Sequence, residues 1–110
     1  MAKDKVLAER ERLEQIFAAM PANELAVAQG LIDQAARMRV QLDKLHAFLK
    51  KNGLTEQFTQ SEKLDPYSRE RPEARLYIAI DKNYQAIIKQ LLERCPPSVK
   101  ESKLAQFTKG

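Results

Sequence analysis

The stretch LIDQAARMRVQLDKLHAFL, residues 31–49, decides the fold class of this 110-residue chain. Apolar side chains recur in it at alternating intervals of four and three residues, at Leu31, Ala35, Met38, Leu42, Leu45 and Leu49. A period near 3.5 residues keeps one apolar seam on one face of an α-helix, where a neighbouring helix can cover it. The segment is therefore predicted to lie in a long helix that packs against other helices.

A second seam of the same kind follows later in the chain. Its residues alternate at intervals of three and four, at Tyr77, Ile80, Tyr84, Ile87 and Leu91. Pro72 suits the first turn of this helix, where a missing N–H costs nothing, and Pro96-Pro97 prevents its continuation. Gly53 is expected to end the earlier helix, because glycine readily adopts the positive φ that a helix end requires.

These signals predict an all-α protein. Its helices cover about residues 4–20, 24–52 and 72–95 of a single domain, residues 1–97. The last two helices form a long antiparallel hairpin, and the shorter N-terminal helix packs alongside. Pro21 ends the first helix, since the residue before a proline is pushed out of helical geometry. Asn23 is the predicted N-cap of the second helix.

Two segments are predicted to lie outside the helices. Residues 54–71 are interpreted as an irregular loop, part of it mobile, because loops of this length are usually functional or disordered. Residues 98–110 are predicted to form a tail that is either a short helix or disordered until something binds it.

The two seams also predict self-association. They extend further than a lone hairpin can cover, so copies of the chain are expected to assemble into an oligomer. Neither the seam spacing nor the composition gives the number of subunits. The predicted interface consists of Leu31, Met38, Leu42, Leu45, Leu49, Tyr77, Tyr84 and Leu91.

Composition narrows the class of protein further. The net charge is +4, which permits contact with nucleic acid without demanding it. No apolar run approaches the roughly 18 residues of a membrane span, so no membrane partner is expected. Cys95 is the only cysteine, and the start of the chain lacks an apolar leader. We therefore expect a cytoplasmic protein without an internal disulfide.

Catalytic and metal-binding patterns are not found in the sequence. His46 is the only histidine, and Cys95 is the only thiol that it could activate. We interpret His46 as a helix-surface residue and Cys95 as a small residue in or near the core. No paired cysteines, HExxH motif or glycine-rich phosphate loop occurs. A non-enzymatic protein without a metal or cofactor is predicted.

Basic residues provide the candidate contacts to DNA. If the second and third helices are antiparallel, several of these cations share one pole of the molecule and could neutralise phosphates. Carboxylates in the same region, such as Glu56 and Glu70, favour the alternative of a self-paired, solvated surface. The predicted DNA contacts are Arg37, Arg39, Lys50, Lys51, Arg69, Arg71 and Arg75.

Three segments resemble the small phage-encoded proteins classed as terminase small subunits. They are ERLEQIF (residues 11–17), LAVAQGLIDQAARMRVQLDKL (residues 25–45) and RPEARLYIAIDKNYQAIIKQLLERCPP (residues 71–97). The last segment, with its Arg-Pro-Glu-Ala start and spaced tyrosines, is the most specific of the three.

The resemblance implies a ring of helical subunits that recognises double-stranded viral DNA and passes it to a terminase large subunit. It also implies docking of the C-terminal tail, residues 98–110, on that large subunit, and a location in the host cytoplasm. Many members carry a separate helix-turn-helix domain, which this sequence does not show, so the DNA-binding surface is not transferred from them. The alternative is a helical scaffold or protein-interaction module that does not bind nucleic acid.

Overall fold

The chain is mostly helical. The computed structural model describes residues 2–95, with side chains from Lys5 onward, so the predicted tail at 98–110 lies outside the described residues. The described part consists of α1 (Ala2–Ile16), α2 (Ala22–Asn52), β1 (Thr55–Phe58), β2 (Tyr67–Glu70) and α3 (Pro72–Glu93). The predominance of helix predicted from the seams is thereby confirmed.

The structure corrects two of the predicted helix ends and confirms a third. Helix α1 ends at Ile16 rather than near residue 20, and the chain then turns, with the Met20 N–H donating to the Phe17 carbonyl at 3.0 Å. Helix α2 is preceded by Pro21 and has no side-chain cap, so the prediction of Asn23 as N-cap was wrong. Gly53 does end α2, with φ at 87° and its N–H donating to the Leu49 carbonyl at 2.7 Å.

Helices α2 and α3 pack side by side and run in opposite directions. Arg94, just after α3, donates to Glu24 in the first turn of α2 at 2.8 Å. At the other end Arg71, just before α3, donates to the Asn52 carbonyl at 3.1 Å. Helix α1 packs against α2. The molecule is 63 Å long with a radius of gyration of 18.2 Å, against about 13 Å for a compact chain of this length.

The core is formed by all three helices of a single chain. Its largest fully buried side chains are Phe17, Leu13, Ile32, Leu42 and Leu91. Phe17 and Leu13 belong to α1 or the turn after it, so α1 contributes an apolar surface of its own. The two long helices are therefore not left to cover each other alone.

This packing corrects part of the predicted oligomer interface. Leu42 and Leu91 have no exposed surface, and Leu49 and Tyr84 are buried as well. Four of the eight predicted interface residues therefore face the inside of one chain and present almost no surface to another. The remaining four, which keep some exposed surface, are Leu31, Met38, Leu45 and Tyr77.

The segment predicted as an irregular loop contains a β-hairpin. Strands β1 and β2 pair antiparallel, with Phe58 opposite Tyr67 and Glu56 opposite Arg69. The Phe58 and Tyr67 rings meet edge to face at 5.8 Å, and the Arg69 guanidinium lies 3.6 Å from the centre of the Phe58 ring. Aromatic and ion pairs across the strands stabilise a hairpin of this kind. We call the connecting residues 59–66 the hairpin tip.

Candidate interaction surfaces

The arginines of the predicted basic pole mainly hold the fold together. Glu56 accepts from Arg69 at 2.8 Å and from Arg71 at 3.4 Å. Arg71 also donates to the Gly53 and Asn52 carbonyls, where the negative end of the α2 dipole favours a cation. These contacts fasten the β-hairpin to the end of α2, so Arg69 and Arg71 are both engaged within the chain, where they share the one carboxylate of Glu56.

Two more of the predicted DNA contacts lie in ion pairs. Arg39 donates to Asp43 at 3.0 Å, and its guanidinium lies 5.2 Å from the centre of the Tyr84 ring. Arg75 approaches Glu70 at 3.4 Å, but the side chains are exposed, and such pairs contribute little in water. In the described part of the chain, the predicted contacts that are exposed and form no ion pair are Arg37, Lys50 and Lys51.

An unpaired row of cations runs along the outer face of α2. Arg37, Lys44 and Lys51 are all exposed, and seven residues separate each from the next. Seven residues are nearly two helical turns, so the three side chains share one face and span about 21 Å. We call these three residues the α2 basic row. Lys44 is absent from the predicted DNA contacts, although its spacing from Arg37 is visible in the sequence.

Helix α3 carries a row with the same spacing on its own outer face. It consists of Arg75, Lys82 and Lys89, all exposed. This row differs from the α2 basic row in one member, because Arg75 approaches Glu70, whereas Lys82 and Lys89 form no ion pair in the described structure. The α3 row therefore serves as a comparison of equal charge on the other long helix.

A groove of about 510 Å³ lies between α1 and α2. Glu9 and Asp43 line it but are paired with Arg12 at 2.6 Å and Arg39 at 3.0 Å. The hydrogen bond that Arg12 donates to Glu9 raises the pKa of Arg12, so this guanidinium stays charged. The groove is lined by Lys5, Ala8, Glu9, Arg12, Arg39, Val40, Asp43, Lys44 and Ala47. It has four cations against two carboxylates, and Lys5 and Lys44 form no ion pair in the described region.

Tyr84 connects the three helices next to this groove. It is buried on α3, close to Arg39 of α2 and to Glu9 of α1. Burial raises the pKa of the Tyr84 hydroxyl above its usual value, and Arg39 only partly offsets that shift. The folded protein therefore favours the neutral phenol.

This raised pKa predicts a loss of stability at alkaline pH. An unfolded tyrosine ionises at about pH 10, and below that pH the contribution of Tyr84 to the free energy of unfolding is complete. The contribution is lost as the pH rises through the higher pKa that Tyr84 has in the folded protein. Ultraviolet absorbance should show a tyrosinate step above the usual range, absent from Tyr84→Phe and retained in Tyr67→Phe. A step that survives Tyr84→Phe would contradict the assignment.

Uncharged residues form a further surface on α2 and α3. The exposed positions are Val27, Gln34, Gln41 and Phe48 on α2, and Leu76, Ala79, Asn83, Ala86 and Gln90 on α3. On α2, the side that faces α1 carries Asp33, which lies 3.7 Å from Arg10, and the groove residues Val40 and Ala47. The helical spacing places the uncharged positions of each helix on one side of that helix, which on α2 is not the side that faces α1. We call this surface the uncharged face.

The remaining candidates form no catalytic or metal site in the described part of the chain. His46 is exposed, with its ring 6.4 Å from that of Tyr77 near the start of α3, whereas Cys95 is buried beyond the other end of that helix. No group of three or more His, Cys, Asp or Glu side chains among the described residues could hold a metal ion. None of the described helices combines the length and the apolar character needed to cross a bilayer.

Comparison with known proteins gives no relative. No protein-family model, curated protein sequence or solved structure matches this chain.

Proposed function

We propose that this protein is a non-enzymatic, self-assembling DNA adaptor of the terminase small-subunit kind, which acts in viral DNA packaging. The observation that carries the proposal is the α2 basic row, since Arg37, Lys44 and Lys51 are exposed and have no carboxylate partner in the described structure. Cations that are free of internal partners can neutralise phosphates without first breaking an ion pair.

The dimensions of the α2 basic row suit a duplex backbone. Neighbouring cations are about 10 Å apart along the helix, and one strand of DNA presents a phosphate about every 3.4 Å of its axis. Cations in such a row can contact phosphate groups, and contacts of this kind do not depend on base sequence. A single copy makes few of these contacts, so assembly of several copies would multiply the effect.

The terminase resemblance supports the remaining parts of the proposal. It implies a ring of copies, delivery of duplex DNA to a terminase large subunit that binds the tail at 98–110, and action in the host cytoplasm. The protein itself then contributes recognition and positioning, and the chemistry belongs to the large subunit. The absence of a catalytic grouping in residues 5–95 is compatible with that division of roles.

The test compares two variants with the same change of charge. In Arg37→Gln/Lys51→Gln, the affinity for duplex DNA should fall, and the slope of log affinity against log salt should lessen by about 1.8, or about 0.9 per lost phosphate contact. Lys82→Gln/Lys89→Gln, on the α3 row, should retain the wild-type affinity and slope. Electrophoretic mobility shifts or fluorescence anisotropy at several salt concentrations would measure both.

The same measurement also distinguishes the DNA adaptor from the rival function. A helical scaffold or protein-interaction module is favoured by one specific observation, the uncharged face of α2 and α3. Surfaces without charged residues are typical of the centre of protein interfaces. If wild-type protein shows no salt-dependent affinity for duplex DNA, the DNA adaptor proposal fails and the scaffold is the better description.

A further inference from the structure

The hairpin tip presents an exposed apolar side chain between two carboxylates. Leu64 is 55% exposed, and its N–H donates to the Ser61 carbonyl at 3.1 Å in a tight turn. Glu62 and Asp65 flank it, are exposed and form no ion pair in the described structure. Lys63 is the one cation of the tip, which leaves it with a net negative charge. An exposed leucine fixed on a turn is available for contact with another surface.

The α1–α2 groove has the complementary character. Its lining includes the small apolar side chains of Ala8, Val40 and Ala47, which leave room for a larger apolar group. Its two carboxylates are already paired with arginines, whereas Lys5 and Lys44 are not. The groove therefore has an apolar lining and a net positive charge.

We propose that the hairpin tip of one copy docks in the α1–α2 groove of the next. Leu64 would contact the apolar lining of the groove, and the carboxylates of Glu62 and Asp65 would lie near the unpaired ammonium group of Lys5, which leaves Lys44 to the α2 basic row. Charge complementarity selects this occupant, because opposite charges at a contact favour the correct pairing and fix its register.

Such a contact determines the type of assembly. The tip and the groove are different surfaces of the same chain, so each copy can offer a tip to one neighbour and a groove to another. A head-to-tail contact of this kind closes into a ring or continues as a filament, unlike a two-fold contact, which stops at a dimer. The inference deepens the proposed function, since it names how one copy would bind the next.

The test uses two uncharged substitutions that leave the α2 basic row intact. Leu64→Ser removes the apolar contact of the tip, and Ala47→Phe fills the groove at an exposed position. Light scattering or sedimentation should show wild-type assemblies larger than a dimer, and each variant alone should have the mass of a single chain. An equimolar mixture should form a dimer, because one partner keeps its tip and the other keeps its groove.

Several results would overturn the proposal. These are a wild type that stays a single chain at every concentration, variants that assemble as the wild type does, or a mixture that forms no dimer. Leu76→Ser, on the uncharged face, is the matched control and should leave assembly unchanged; its loss of assembly would assign the contact to that face instead. A Leu64→Ser chain that still binds duplex DNA with a salt-dependent affinity would show that the DNA adaptor proposal holds even if the tip contact fails.

Discussion

Replacing Phe17 by alanine is expected to destabilise the protein by about 3–5 kcal/mol, the cost of truncating a fully buried phenylalanine. Phe17 has no exposed surface, although it lies in the turn after α1 rather than in a helix. It belongs to the core cluster that includes residues of α2 and α3. The substitution would leave a cavity where the three helices meet, and the turn that connects α1 to α2 would lose its largest buried side chain.

Urea unfolding followed by circular dichroism would measure this change. Leu7→Ala on α1 is the matched control, since Leu7 is 44% exposed and its truncation should cost much less. A loss below about 1 kcal/mol for Phe17→Ala would contradict the three-helix core. It would instead mean that α1 contributes little to the fold, as in a molecule that consists only of α2 and α3.

The helices could be predicted because their signals are local. The intervals of three and four residues, Gly53 after α2 and Pro72 at the start of α3 each act within one or two turns. The end of α1 was harder to predict, because apolar residues continue past Ile16. Phe17 and Met20 are buried by tertiary packing rather than by continuing the helix.

The β-hairpin could not be predicted from periodicity. Strands β1 and β2 are four residues each, and neither reads as a clear alternation of apolar and polar residues. Their pairing is stabilised by contacts between residues far apart in sequence, such as Arg69 with Phe58 and Arg71 with Glu56. Such contacts become visible only when the ends of α2 and α3 are placed next to each other.

The candidate DNA-binding residues fall into bound and free cations, and this division also depends on contacts between distant parts of the chain. Sequence alone counts Arg69, Arg71 and Lys51 as equal cations near one pole. The structure distinguishes them, because Glu56 and the carbonyls at the end of α2 bind the two arginines and leave Lys51 exposed. Which cations remain free is a tertiary property, whereas the seven-residue spacing of the α2 basic row is a property of the sequence.

Replacing Leu42 by alanine is expected to cost about 2–5 kcal/mol, the range for a buried leucine. Leu42 lies at the centre of the first seam and has no exposed surface within a single chain. If the seam is covered inside the chain, the loss relative to wild type should be the same at low and high protein concentration. If other copies covered it, unfolding would involve dissociation, and the midpoint would shift with concentration.

The experiment is best performed in the Leu64→Ser background, where the tip contact is removed and assembly should not complicate unfolding. Gln41→Ala is the control, since Gln41 is the exposed neighbour of Leu42 on the same helix and should change stability by no more than about 0.5 kcal/mol. A Leu42→Ala loss that shrinks on dilution would return the seam to the interface between copies. A constant loss would mean that the seams build the subunit, and that assembly must use the surfaces that the folded subunit leaves exposed.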